Sequence, residues 1–162
     1  MLVVINALSA INPSGRYVLL GHLRKLAEWT REEHKYIVLF HKLNKDICRD
    51  LGPNVTWRRC PSYTAHWMGR TLWELIILPT ALRKLGAGLF FTPSGSAVFS
   101  VSIPQVVFAQ NPWYLVKSFR RSPYGNLKSA MQRRNFKKTM AFSSMMIFNS
   151  EYMRLAYRVN AG

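Results

Sequence analysis

A short polar turn interrupts the first apolar segment of the chain. The run "LVVINAL" is followed at residues 12–16 by "NPSGR", where an amphipathic segment begins. At the start of a helix, Ser14 and Gly15 leave backbone N–H groups uncovered, and Arg16 adds a positive charge beside them. This combination of groups favours the binding of a phosphate or another anion. The spacing matches neither GxGxxG nor a P-loop, so ordinary turn chemistry stays open as the alternative.

Two further polar turns come directly after apolar runs. They read "TPSGSA" and "NPWY", and they contain Ser94, Gly95, Ser96 and Asn111. The hydroxyl and amide groups of these residues can hydrogen-bond the hydroxyls of a ligand, or they can cap and close the turns themselves. Both interpretations remain open from the sequence.

The apolar runs have the pattern of strands that are covered on both faces of a sheet. Continuous apolar segments bounded by turn residues are typical of parallel sheets. The predicted strands are "LVVINAL", "KYIVLF" (35–40), "NVTWRR" (54–59), "GLFF" (88–91), "PQVVFAQ" (104–110) and "MMIFN" (145–149).

Three helical segments are predicted between these strands, over about residues 15–29, 65–85 and 124–139. The second is expected to break at Pro79. Its predicted core-facing residues are Met68, Leu72, Leu75 and Ile76. Strand and helix alternate along the chain, which predicts a single α/β domain with a doubly wound, Rossmann-like parallel sheet. In such a sheet, ligands bind beyond the carboxyl ends of the strands.

The chain is strongly basic. It has 23 Lys and Arg residues against 7 acids, a formal net charge of +16, and no acid between Glu74 and Glu151. The basic residues predicted to form an anion-binding surface in this interval are Arg120, Arg121, Arg133, Arg134, Lys137 and Lys138. Such a surface attracts anionic lipid headgroups, acidic ligands or nucleic acid, and charge alone does not choose among them.

Aromatic residues are interleaved with this basic stretch. Trp113, Tyr114, Phe119 and Phe136 can contact a membrane interface beside the cations. The alternative of equal weight is that Trp113 and Phe136 are core residues and that the charges form a solvated face.

Neither a metal site nor a membrane span is predicted. Cys48 and Cys60 lack Cys-x-x-Cys spacing, and the four histidines lack ligand spacing. Free thiols indicate a reducing compartment. The apolar runs are too short for a signal peptide or a membrane helix, so a soluble, cytoplasmic protein is expected. No cofactor is predicted either. His22 and His34 are expected to be structural or surface residues, and the catalytic residues are left unassigned.

Four segments, taken in order, resemble the GT-B fold nucleotide-sugar glycosyltransferases of the large retaining group called family four. They are "SGRYVLLGHLRKLAE", "RTLWELIILPTALRKLGAGLFFTPSGSAV", "PQVVFAQNPWYLV" and "FNSEYMR". The resemblance covers essentially all of the chain, and its specificity lies in the order and spacing of the segments. Two positions depart from the pattern: Gly88 replaces a common aspartate, and Gln110 with Asn111 replaces a common histidine–aspartate pair.

The resemblance implies the N-terminal, acceptor-side domain of an enzyme of cell-envelope polysaccharide synthesis. Such an enzyme moves a sugar from a nucleotide-sugar donor to a glycan or lipid-linked acceptor and needs no bound metal. It would place residues 14–16 near the donor's phosphate or sugar. It would place Ser94, Gly95, Ser96 and Asn111 near the acceptor. The basic surface would dock on the anionic inner face of the cell membrane.

The family's second Rossmann-like domain holds most of the donor site, and the resemblance implies that residues 1–162 do not include it. We therefore expect these residues alone to be inactive, with the second domain supplied in cis or in trans. One alternative is a non-catalytic subunit of a two-chain transferase. Another is a nucleic-acid-binding module based on "WRR" (57–59) and "MQRRNFKK" (131–138), which is disfavoured because no RRM, KH or zinc-finger signature is present.

Overall fold

A computed structural model describes residues 1–110 and 123–161, and within them six strands form one sheet. The strands are β1 (Leu2–Asn6), β2 (Lys35–Phe40), β3 (Val55–Arg59), β4 (Leu89–Thr92), β5 (Gln105–Ala109) and β6 (Met145–Phe148). Every neighbouring pair is parallel, and the order across the sheet is β3-β2-β1-β4-β5-β6. The predicted α/β, Rossmann-like parallel sheet is confirmed.

Helices follow most of the strands, as the alternation of patterns predicts, but no helix lies among the described residues between β4 and β5, and only a 3₁₀ helix lies between β2 and β3. They are α1 (Pro13–Trp29), α2 (Trp67–Ile76), α3 (Leu78–Leu85), α4 (Pro123–Phe142) and α5 (Glu151–Ala161). Short 3₁₀ helices lie at Ala7–Ser9, Lys42–Ile47 and Ser62–Ala65. The break predicted within residues 65–85 falls at Ile77, and Pro79 lies in the first turn of α3, where its missing N–H group has no helical partner to lose.

The sheet is covered on both faces because alternate strand residues point to opposite sides. Val3 and Ile5 of β1 pack with Leu19 and Leu23 of α1 on one face. Val4, between them, belongs to a cluster on the other face. That second cluster also holds Trp73 of α2, Leu78 and Leu82 of α3, and Phe90 of β4.

The predicted inward face of α2 is wrong. Its four predicted core residues, Met68, Leu72, Leu75 and Ile76, are between 45% and 69% exposed. The face that α2 turns to the sheet instead carries Arg70, Trp73 and Glu74, which share one side of a helix by their spacing. This rotation buries the large Trp73 ring, bonds Glu74 to Asn6 at the end of β1, and bonds Arg70 to the Leu8 carbonyl oxygen just beyond it.

A smaller cluster joins α4 and α5 to the sheet. Phe136 and Tyr157 pack with ring centroids 5.2 Å apart, and Met153 and Ala109 complete the cluster. Phe136 is buried, so of its two alternatives the core position is the one observed. Trp113, Tyr114 and Phe119 lie outside the described residues.

Candidate functional site

The strand order creates a crevice between the loops that follow β1 and β4. The chain leaves β1 toward β2 and β3, whereas from β4 it continues in the opposite direction to β5 and β6. Loops at such a switch point diverge, and ligands of doubly wound sheets bind there. Two of the three predicted loops, residues 12–16 and 93–97, follow these two neighbouring strands. Asn111, in the third, lies outside the described residues.

The first of these loops contains the start of α1. The helix begins at Pro13, and Asn12 precedes it without capping it through its side chain. N–H groups in the first turn of a helix have no intrahelical partner, which leaves those of Ser14 and Gly15 available at the carboxyl edge of the sheet. A Cβ atom on Gly15 would meet nothing nearer than the Ala10 Cα at 4.0 Å, so the fold itself does not require glycine.

Arg16 points away from this first turn. Its Nη1 atom forms an ion pair with the Asp46 carboxylate, and its Nη2 atom donates to the Leu43 carbonyl oxygen at 3.1 Å. The guanidinium thus joins α1 to the segment after β2. The positive charge expected beside Ser14 and Gly15 is balanced by a carboxylate, so the uncapped backbone N–H groups remain as the donors that this loop could offer to an anion.

The loop after β4 presents hydroxyl groups. The Thr92 and Ser94 hydroxyls hydrogen-bond each other at 2.8 Å, and Ser94 Oγ donates to the Ser96 carbonyl oxygen at 3.4 Å. Ser94 is exposed and Ser96 is half-buried. Both therefore help to shape the turn, and Ser94 also presents its hydroxyl to solvent.

Helices α4 and α5 hold this loop from behind. Gly95 has φ +76°, and its carbonyl oxygen accepts from the Tyr157 hydroxyl at 3.4 Å. The buried Ala97 N–H donates to Thr139 Oγ1 at 3.0 Å. The position of the loop is thus decided by side chains about 40 to 60 residues further along the chain.

A polar cluster that was not predicted from the sequence lies at and just beyond the carboxyl end of β1; it is formed by Asn6, His41, Arg70 and Glu74 and is called here the Asn6 cluster. Asn6 Nδ2 donates to Glu74 Oε1 at 2.7 Å, and Asn6 Oδ1 accepts from the Leu8 N–H at 3.2 Å. Burial raises the pKa of Glu74, outweighing the opposing effects of the Asn6 hydrogen bond and the Arg70 charge. The crevice therefore contains a carboxyl group held near the end of β1.

The Leu8 carbonyl oxygen joins the other two members of the cluster. It accepts from Arg70 Nη1 at 3.1 Å and lies 3.0 Å from His41 Nε2, so this histidine nitrogen carries the proton. His41 Nδ1 accepts from the Leu43 N–H at 3.2 Å. Burial lowers the pKa of His41, and the charges of Arg70 and Arg16 add to this effect. With both nitrogens engaged, the ring positions the cluster and is not free to act as a base.

The remaining histidines lie elsewhere. His22 is an exposed residue of α1 whose ring packs edge-on against Phe108. His66 is exposed before α2. His34 lines a cavity of about 490 Å³ at the opposite, amino-terminal edge of the strands, together with Met1 and Asn54. This cavity is not part of the crevice.

Weak sequence signals for the Asn6 cluster are present. Asn6 is the one polar residue within the run "LVVINAL". Arg70 and Glu74 are four residues apart on either side of Trp73, which places both on one side of a helix. Their convergence on Asn6 is a long-range contact, which periodicity does not predict.

The described part of the predicted basic surface lies on α4. Arg134, Lys137 and Lys138 are exposed, and the Lys138 ammonium lies 5.6 Å from the centre of the Phe99 ring. Arg120, Arg121 and the side chain of Arg133 lie outside the described residues.

The aromatic residues of the nucleic-acid alternative are engaged within the protein. Trp57 is half-buried, packs edge-to-face on Phe40, and donates its indole N–H to the Arg49 carbonyl oxygen at 2.8 Å. Phe136 is buried. Base stacking needs an exposed ring face, so these two residues do not favour that alternative.

The described residues contain neither a group of side chains suited to a metal ion nor an exposed cysteine. Within 1–110 and 123–161, no three His, Cys, Asp or Glu side chains are grouped so that they could hold a metal ion. Cys48 is half-buried and Cys60 is buried, both as free thiols. Burial raises the pKa of Cys60 to about 12, which keeps this thiol protonated and weakly nucleophilic.

Comparisons of the chain with protein-family models, with curated proteins and with solved structures found no significant match. The function is therefore inferred from the chain's own residues and their arrangement.

Proposed function

We propose that residues 1–162 form the acceptor-side domain of a nucleotide-sugar-dependent glycosyltransferase of the GT-B fold, in retaining family four. The observation that carries this proposal is the convergence of Glu74 on Asn6, the last residue of β1, and of Arg70 on Leu8, just beyond that strand. Arg70 and Glu74 are the first and last residues of the Arg-x-Leu-Trp-Glu segment through which the chain resembles that family. Doubly wound sheets bind their ligands beyond the carboxyl ends of their strands, so the position of these bonds at the end of β1 supports the proposal.

The donor side of the proposed site is the first turn of α1. The N–H groups of Ser14 and Gly15 offer hydrogen bonds to a phosphate or sugar oxygen at the positive end of a 17-residue helix. Negative charge develops on the departing nucleotide diphosphate during sugar transfer, so donors already in place favour the transition state. The absence of a Cβ atom at residue 15 lets the ligand approach the backbone.

The acceptor side is formed by the loop after β4 and the Asn6 cluster. Ser94 and Ser96 provide hydroxyl and carbonyl groups, and Glu74 provides a carboxyl group that can accept hydrogen bonds from sugar hydroxyls. Asn111 belongs to the same proposed subsite through its place in the sequence after β5.

Catalysis in this proposal needs two domains. A second Rossmann-like domain, in cis or in trans, would close over the crevice and hold most of the nucleotide, so residues 1–162 alone would bind ligand weakly and transfer no sugar. The acceptor would be a glycan or lipid-linked sugar of cell-envelope polysaccharide synthesis, and the enzyme would work at the inner face of the cell membrane.

A titration of the ¹⁵N-labelled chain with UDP-glucose and GDP-mannose, followed by NMR, tests the donor site. We expect the amide signals of residues 14–16 and 94–97 to shift. Gly15→Ala should weaken nucleotide-sugar binding by about tenfold, because a methyl group blocks the close approach while the helix tolerates alanine. Gly21→Ala is the matched control, since Gly21 is an exposed residue of the same helix with nothing within 4 Å of the added methyl group.

Two outcomes would contradict the proposal. One is that neither nucleotide sugar shifts these signals. The other is that Gly15→Ala and Gly21→Ala change the affinity equally, which would assign no special role to the first turn of α1.

A further inference from the structure

Helix α2 presents five large apolar side chains to solvent. These residues, called here the α2 outer face, are Trp67, Met68, Leu72, Leu75 and Ile76. Each is at least 45% exposed. A contiguous exposed apolar surface of this kind marks an interaction site, because leaving it in water is unfavourable.

The α2 outer face holds no carboxylate of its own helix. Glu74, the single acid of α2, turns to the opposite side and accepts the hydrogen bond from Asn6. Arg70 turns the same way, toward the Leu8 carbonyl oxygen. The helix thus directs its charged groups to the crevice and its apolar groups outward.

Exposed cations lie on β3 and α3. Arg58 and Arg59, both exposed, line a cavity of about 170 Å³ together with Ile77, the exposed residue that follows α2. Arg83 and Lys84 are exposed in the last turn of α3. Among the ion pairs of the described residues, none involves these four cations.

The loop after β4 bonds to α2, and it carries a further apolar residue with a cation beside it. Ser100 Oγ donates to the Glu74 carbonyl oxygen at 3.1 Å. Next to it, Phe99 packs edge-to-face against Phe142, which is 60% exposed, and Lys138 lies over the Phe99 ring. The same pattern of exposed apolar groups with adjacent cations therefore recurs beside α2.

We infer that the α2 outer face is a docking surface for an anionic lipid bilayer. Its apolar side chains would enter the interface between headgroups and acyl chains, with Arg58, Arg59, Arg83 and Lys84 against lipid phosphates. No helix within residues 1–110 and 123–161 has both the length and the apolar character needed to cross a membrane, so contact through this face would be peripheral. The formal charge of +16 favours anionic lipid over a second copy of the chain, because two copies would repel each other.

This inference also extends the proposed function, because it gives a lipid-linked acceptor a route to the site. That extension rests on the proposed function, whereas membrane docking itself does not. Because the inner side of α2 carries Arg70 and Glu74, docking by its outer side would bring the crevice close to the bilayer. An acceptor anchored in the membrane would then reach the crevice without leaving the lipid.

Vesicle flotation of the full chain tests the inference without any transferase activity. The vesicles contain phosphatidylcholine alone, or phosphatidylcholine with phosphatidylglycerol at about three to one. We expect binding to the anionic vesicles, and at least about tenfold weaker binding to the neutral ones.

The double variant Leu72→Glu with Ile76→Glu should reduce binding to anionic vesicles by at least about tenfold, since it places two carboxylates in the apolar face. The matched control is Leu155→Glu with Val159→Glu, an exposed apolar pair with the same spacing on α5. The control adds the same charge, so it should retain most of the binding. Circular dichroism of both variants checks that they fold.

Three results would overturn the inference. The first is that the wild-type chain does not float with anionic vesicles. The second is that the α2 and α5 variants lose binding equally, which would leave only a general effect of charge. The third is a dimer, measured by light scattering, that the α2 variant converts to a monomer, which would assign the face to a second copy. Each leaves the nucleotide-sugar titration unaffected, so failure of the two proposals can be told apart.

Discussion

Asn6 and Glu74 are 68 positions apart in the chain, and Asn6 Nδ2 donates to Glu74 Oε1 at 2.7 Å. This bond joins the carboxyl end of β1 to the inner side of α2. It helps to orient α2, so the same contact that places a carboxyl group in the crevice also leaves the α2 outer face in solvent.

The first prediction concerns the pH dependence of stability. Burial raises the pKa of Glu74 above its ordinary value of about 4.5, so ionisation is less favourable in the folded chain than in the unfolded one. The stabilisation present below that value is lost as pH rises through the raised pKa. Glu74→Gln cannot ionise, and its stability relative to wild type should therefore increase with pH.

Urea unfolding of both proteins between about pH 4 and pH 8 measures this difference. Glu28→Gln is the control, since Glu28 is exposed and pairs with Lys25 on the surface of α1. Parallel stability profiles for wild type and Glu74→Gln would contradict the expected burial of the charge.

The second prediction concerns His41, whose pKa is lowered mainly by burial. A group with a lowered pKa in the folded state stabilises the fold above its ordinary value, here 6.5, and this contribution is lost as pH falls through the lowered value. His41→Gln should cost about 1–3 kcal/mol at neutral pH because it leaves buried hydrogen-bonding groups unpaired. It should also flatten the acid side of the stability profile.

Chemical denaturation over about pH 5 to pH 8 tests this, with His66→Gln as an exposed control. If His41→Gln lost stability in acid as steeply as wild type, another group would be responsible for the decline.

A third prediction follows from the close approach of Gly95 to Tyr157. Gly95 has φ +76°, and a Cβ atom there would lie 2.9 Å from the Tyr157 hydroxyl oxygen. We expect Gly95→Ala to destabilise the fold by about 2–4 kcal/mol, through backbone strain and this clash together. Gly86→Ala isolates the strain, since Gly86 has φ +65° and nothing within 4 Å of its Cβ position, and it should cost about 1 kcal/mol.

Thermal unfolding of these variants separates the two contributions. In a Tyr157→Phe background, which removes the hydroxyl, Gly95→Ala should cost less than it does in wild type. An equal cost in both backgrounds would mean that the hydroxyl does not constrain the loop.

The fourth prediction concerns Thr139, which holds the loop after β4 from α4. Its Oγ1 atom accepts from the Ala97 N–H at 3.0 Å and donates to the Asn135 carbonyl oxygen at 2.8 Å. Thr139→Val keeps the shape but leaves a buried N–H group unpaired, at a cost of about 1–3 kcal/mol.

Hydrogen exchange of the Ala97 amide, together with urea unfolding, gives the local and global readouts. Thr71→Val is the control, because the exposed Thr71 hydroxyl donates to the Trp67 carbonyl oxygen of its own helix. Slow exchange at Ala97 in Thr139→Val would show that another group satisfies this amide.

The strands were predictable because a buried parallel strand is apolar on both faces. The segment "KYIVLF" coincides with β2 (Lys35–Phe40), and the other predicted strands that carried numbers differ from the observed ones by one residue at one end or at both ends. The rotation of α2 was not predictable in this way. Most of its apolar residues lie on one side, which periodicity predicts to face inward, whereas the structure turns that side outward and buries Trp73 instead.

The candidate site likewise combines residues that local sequence patterns reveal with residues that only long-range contacts bring together. Ser14, Gly15, Ser94 and Ser96 stand in turns after apolar runs, a local pattern that sequence reveals, and the strand order places those turns at neighbouring strand ends. The Asn6 cluster depends on partners between 33 and 68 residues apart, which no local pattern specifies.

Local patterns along the chain are enough to predict the strands, the longer helices and their order, and hence a parallel sheet whose turns meet at its carboxyl edge. The side of α2 that is buried, the direction of the Arg16 charge and the polar groups that meet at Asn6 depend on the three-dimensional arrangement. The difference is one of range, because hydrophobic periodicity and turn chemistry act between near neighbours. Burial, pKa shifts and ion pairs instead arise where distant segments come into contact.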